Sequence, residues 1–104
     1  MNDMFPQIDF RGGEFYPIRS CFDWKKTVAS QLDILREDMF HVKYLNGHSM
    51  DVGWYPSFDE TGCFKLFVIL NDNWEQPLET IHTQSYDEVV GHLRRMVDCY
   101  SGVK

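Results

Sequence analysis

The sequence predicts an α+β domain: an antiparallel sheet of about four strands with two helices packed on one face, in the order α-β-β-β-β-α. Three observations predict it. Apolar residues recur at helical spacing in two segments, one in the first third of the chain and one at its end. Between them the period drops to two, with Asn46-Gly47 set between alternating runs. The strand–helix–strand alternation of a parallel sheet is missing from the pattern.

Residues 1–13 mix Pro6, Gly12 and Gly13 with scattered aromatics and follow neither period, so they read as an irregular lead-in from which Phe5, Ile8 and Phe10 can still reach a core. A short extended piece follows over Glu14 to Arg19, where Phe15 and Tyr16 favour strand and Pro17 restricts its predecessor. Trp24, Val28, Leu32, Leu35 and Met39 form one stripe opposite Lys25, Lys26, Ser30, Asp33 and Glu37. This predicts a helix from Asp23, as N-cap, to Asp38.

From Phe40 the side chains alternate. Phe40, Val42 and Tyr44 share one face and His41, Lys43 and Leu45 the other, and after Asn46-Gly47 come Met50, Val52 and Trp54. Asn-Gly accepts the positive φ that a tight hairpin needs, so two paired strands are expected, the second ended by Pro56. Cys63 to Leu70 is apolar on both faces except at Lys65, the pattern of a central strand covered above and below. A turn-rich stretch over 71–77 leads to a further strand from Leu78 to Gln84. Ser85 and Glu88 form a capping box that opens a last helix, Ser85 to Ser101, with Tyr86, Val89, Val90, Leu93, Met96, Val97 and Tyr100 facing inward and Gly102 closing it.

The 104 residues suit one domain, 1–104, and their 43% hydrophobic and 15% aromatic content excludes intrinsic disorder. The formal charge is −6, which disfavours direct binding to nucleic acid or to an anionic membrane and favours a basic partner. Three cysteines, Cys21, Cys63 and Cys99, form no CxxC pair and no dense framework. With no apolar leader in the first twenty residues, this predicts a reducing, cytoplasmic setting in which Cys63 and Cys99 act as small buried hydrophobes.

Motifs for chemistry are sparse. His41, His48, His82 and His92 follow no metal-ligand spacing, no serine sits in a nucleophile elbow, and the glycines form no phosphate loop, so no cofactor, no metal and no enzymatic activity are expected. One enzymatic alternative is a small ribonuclease using His41, Lys43 and His82 in acid–base cleavage. The charge is unevenly placed: Asp51 to Leu93 holds eight acids and one base, Lys65, a window of −7, while the rest of the chain nets +1. Aromatic anchors inside an acidic rim are what a surface for a basic protein requires. The expected contact residues are therefore Asp51, Trp54, Phe58, Asp59, Glu60, Asp72, Trp74, Glu75 and Glu79. The competing reading places the aromatics in the core and leaves the acids to solubility.

Asp51 to Ile81, carried by Asp51, Gly53, Trp54, Pro56, Asp59, Gly62, Phe64, Trp74 and Pro77 and followed by the capped helix, resembles the small acidic immunity proteins of contact-dependent growth inhibition and related polymorphic toxin systems. It covers about half the chain. The resemblance implies a cytoplasmic, non-enzymatic monomer that binds one cognate toxin domain, often a basic nuclease, and occludes its active site one-to-one. The alternative from the residues alone is a regulatory or adaptor domain for another basic protein.

Overall fold

A computed structural model describes residues 5, 8–16, 23, 25–35, 37 and 39–102. Its element order is β1 (Glu14–Tyr16), a 3-10 segment (Ala29–Ile34), β2 (Phe40–Lys43), β3 (His48–Tyr55), β4 (Cys63–Leu70), β5 (Glu79–Thr83) and α1 (Tyr86–Tyr100). The strands form one antiparallel meander in chain order, β1-β2-β3-β4-β5. The α+β class therefore holds, with two corrections: the sheet has five strands, and the described residues contain one α-helix, not two.

The extra strand is β1, within the predicted extended piece; residues 17–19 of that piece lie outside the described residues. The missing helix is the one predicted over 23–38, of which Trp24, Arg36 and Asp38 also lie outside the described residues. Where that helix was expected, a 3-10 segment runs with a break at Gln31 (φ −136°, ψ 34°). Side chains there compete for the backbone. The buried Gln31 amide donates to the carbonyls of Asp23 (2.8 Å) and Thr27 (3.2 Å) and accepts from the Asp23 amide (2.9 Å). Asp23 accepts from Lys25 N, and the Ser30 hydroxyl donates to Thr27 O. The apolar stripe still predicts sidedness: Leu35 and Met39 are buried, Val28 and Leu32 pack against the core, and Lys25, Lys26, Ser30, Asp33 and Glu37 are exposed.

Register aligns the core across the sheet. Phe15 pairs with Val42, Val42 with Met50, Phe40 with Val52, Met50 with Val68, Val52 with Leu66, Trp54 with Phe64 and Leu66 with Ile81. Helix α1 lays Val89, Val90, Leu93, Met96 and Val97 on this face. The lead-in fills the place of a second helix: Phe5 stacks on Tyr86 (5.5 Å) and meets Phe40 edge-on (5.0 Å), while Phe10 packs beside Phe15 and Phe40.

Ser85 caps α1 as predicted, its hydroxyl accepting from Glu88 N (3.2 Å). The Glu88 carboxylate does not return to Ser85 N. It accepts from the Thr83 hydroxyl, whose oxygen takes the Ser85 N–H instead (3.1 Å). At the far end of α1, Asn46 Nδ2 donates to Tyr100 O (2.8 Å), so the β2–β3 connection holds the helix C-terminus. That connection differs from the two-residue turn expected: only Gly47 takes a positive φ (92°), and Asn46 Oδ1 accepts from His48 N. Cys63 is half-buried, and Cys99, expected to be buried, is exposed on the outer side of α1.

Glu79 faces the helix and accepts two hydrogen bonds from Arg95 (2.9 and 3.1 Å) and one from the Tyr100 hydroxyl. The Arg95 bonds hold its carboxyl below the usual value of 4.5, and Glu79 in turn pushes the Tyr100 phenol up to about 12. A depressed carboxyl stabilises the fold above its unfolded value, and that contribution disappears as pH falls through the folded one. Glu79→Gln should therefore lower Tm at neutral pH, with the gap to wild type closing below about pH 4.5; a gap independent of pH would contradict this. At Gly53 a Cβ would stand 1.8 Å from the Glu37 carbonyl oxygen, a backbone atom. Gly53→Ala should cost about 1–3 kcal/mol in denaturant unfolding.

Candidate interaction face

Helix α1 and the described residues of the lead-in cover one side of the meander. Strand alternation sends the remaining side chains to the other side. Cross-strand pairing there sets Tyr16 beside His41, His41 beside Asp51, Asp51 beside Phe67 and Phe67 beside Thr80, a single row across all five strands. A second row runs Glu14, Lys43, Ser49, Ile69.

The β4–β5 connection folds back over these rows. Trp74 stacks on His41 (6.1 Å, 29°) and meets Phe67 edge-on (6.2 Å), so it spans the residue between them, Asp51. Asp51 is 5% exposed. His41 Nδ1 lies 3.2 Å from Asp51 Oδ1, and Tyr16 packs its ring against His41 at 5.5 Å. Trp74 itself is 49% exposed and Tyr16 43%.

Local sequence explains why the loop sits there. Asn71 and Asp72 both adopt left-handed backbone (φ 53° and 59°), a conformation Asn and Asp tolerate better than other non-glycine residues. This turns the chain sharply after β4. Asn71 N donates to Gly47 O (2.9 Å), and Leu78 N to Val68 O (2.7 Å), tying both ends of the loop to the sheet. Asp72 then accepts from Lys43 Nζ (3.1 Å), and that hydrogen bond raises the ammonium above its ordinary value.

The opposite end of β4 carries a second exposed aromatic. Phe58, 54% exposed, has φ 64°, an uncommon conformation for a bulky residue, held by its N–H donating to Leu35 O (2.8 Å). The neighbouring Asp59 accepts from the Thr61 hydroxyl (2.7 Å) and amide (2.9 Å), and these bonds, the hydroxyl first, lower its pKa. Glu60 is exposed beside a cleft of about 240 Å³ lined by Val28, Ala29, Trp54 and Gln84.

The nine contact residues expected from sequence therefore separate into four groups. Asp72, Trp74 and Glu75 occupy the loop over the second face, with Asp51 beneath Trp74. Phe58, Asp59 and Glu60 lie at the other end of β4, roughly 24 Å away for the seven steps of an eight-residue strand at about 3.4 Å each. Trp54 is a core residue at 1% exposure, its indole donating to Asp59 O (2.8 Å), and presents no ring to a partner. Glu79 points to α1 and is engaged there. Tyr16 and Phe67 join this face through strand register, which places them beside His41 and Asp51 and is not encoded in local spacing.

His41 and His82 face the same side but are separated by β3 and β4, about 14 Å at the usual strand spacing, so they form no acid–base pair with each other. Among the described residues no group of three or more His, Cys, Asp and Glu is placed to hold a metal ion, and no helix is long and apolar enough to cross a membrane. No family model, curated protein or solved structure matches the chain.

If the Lys43–Asp72 bridge holds the loop on the sheet, Lys43→Met should speed hydrogen exchange at the amides of Asn71, Asn73 and Leu78 without changing exchange in β3 and β4. Unchanged loop exchange would show that the bridge is dispensable.

Proposed function

We propose that this chain is an immunity protein: a non-enzymatic cytoplasmic monomer that binds a cognate toxin domain, a basic nuclease, one-to-one and occludes its active site. The observation that carries this reading is Trp74. An indole half exposed to solvent, fixed by Asp72–Lys43 and by its contacts with His41 and Phe67, with the exposed Glu75 next to it, is a rigid aromatic anchor in an acidic setting. Such anchors dominate protein interfaces, and the surrounding acids accelerate association with a basic surface. The resemblance of Asp51 to Ile81 to immunity proteins supports the same reading. The spread of acids argues for Asp72, Trp74 and Glu75 as the principal contact, with Phe58 and Glu60 as a second patch at the other end of β4.

A regulatory or adaptor domain that binds some other basic protein would use the same surface. The two are separated by protection. Co-expressed with the toxin domain encoded directly upstream of its own gene, the chain should restore growth, and Trp74→Ala combined with Glu75→Lys should abolish the rescue while the protein stays folded. Growth arrest in the presence of the wild-type chain would overturn the immunity reading.

A further inference from the structure

Beneath Trp74 lies an arrangement that a purely structural row would not need. His41 is held at Nδ1 by Asp51, and its ring is flanked by two aromatic side chains that are each nearly half exposed. With Asp51 as a carboxylate, which only accepts hydrogen bonds, the ring nitrogen facing it is the donor, and in the neutral form of the ring the other nitrogen is then a lone-pair acceptor. No described residue hydrogen-bonds Nε2, and the His41 side chain is 15% exposed.

The surroundings decide what that acceptor receives. Asp51 stands behind the ring, Glu14 lies 3.4 Å from the Tyr16 hydroxyl, and Glu75 is exposed on the loop above. Lys43, the basic residue of the adjoining row, is engaged by Asp72. A phosphate or carboxylate arriving here would meet a ring-nitrogen lone pair and the nearby Glu14 and Glu75 carboxylates. A cationic donor meets an acceptor polarised toward it, and a flat guanidinium also stacks on exposed aromatic rings.

We infer that His41 is a specificity-determining contact, and that its Nε2 receives an arginine side chain of the bound protein between Tyr16 and Trp74. This rests on the reading of the chain as a binder of a basic protein, and it adds the chemistry of the contact. Asp51 is a positioning residue: it sets the tautomer and touches no partner atom.

Long-range proton–nitrogen NMR of the labelled protein tests it, with a peptide of alternating arginine and glycine as the probe and its citrulline counterpart as the uncharged control. The free protein should show His41 protonated at Nδ1. The arginine peptide should shift the His41 and Trp74 ring signals, and the citrulline peptide should not. His41→Phe keeps a ring beneath Trp74 and should raise the half-saturating peptide concentration about tenfold or more, as expected for loss of a hydrogen bond to a charged group. Asp51→Asn should turn His41 to the Nε2-protonated form and weaken binding likewise. A wild-type ring protonated at Nε2, an equal response to citrulline, or unchanged saturation in folded His41→Phe would each overturn the inference. A chain that responds to the arginine peptide but protects against no toxin removes the immunity reading alone; protection without the peptide response removes this inference alone.

Discussion

A five-stranded meander has two faces, and the one α-helix among the described residues lies against only one of them. Much of the described structure follows from how the two faces are covered differently. On the helix side the apolar row Phe40, Val52, Leu66 and Ile81 is sealed by α1 and by the lead-in residues Phe5, Ile8 and Phe10. On the other side Ile69 and Ser49 are nonetheless buried at 0% and 1%, and Asp51 at 5%. That second layer is built partly from the β4–β5 loop, which places an indole over the sheet, and partly from the segment around Glu37, whose carbonyl lies against Gly53.

Using a loop where a helix would normally lie has consequences for function. A helix would present a broad, even surface. The loop presents one large aromatic residue with carboxylates on either side, and it is held by a few identifiable bonds: Asn71 to Gly47, Leu78 to Val68, Asp72 to Lys43. The residues that complete the second face are therefore the ones that form its exposed anchor. Burial of Asp51 and the half exposure of Trp74 belong to the same packing.

The acids of the chain are less alike than their shared charge suggests. Glu79 joins β5 to α1 through Arg95 and Tyr100, Asp59 builds a turn with Thr61, Asp72 holds the loop, and Asp51 orients a histidine. Glu60, Glu75 and Asp87 are exposed, as are Asp33, Glu37 and Glu88, and these contribute to the outer field. The −7 window is real as composition, yet in space it is divided between the two ends of β4, the helix side and the buried row.

The sequence by itself determined the strands β2 to β5, the hairpin around Asn46-Gly47, the internal position of β4 between two neighbours and the capped helix α1, because each depends on periodicity or on a turn or cap formed by near neighbours. The helical spacing of Val28, Leu32, Leu35 and Met39 reported correctly which side faces the core but not the conformation, since the Gln31, Asp23, Thr27 and Ser30 side chains take backbone partners that a helix would have used. Tertiary structure alone decided that Trp54 is core and Trp74 is exposed, that Phe5 replaces a helix, and that Tyr16, His41, Asp51 and Phe67 share one row. Those outcomes depend on strand register and on where a loop folds back. Both are set by contacts between residues distant in the chain, and local pattern carries no record of them.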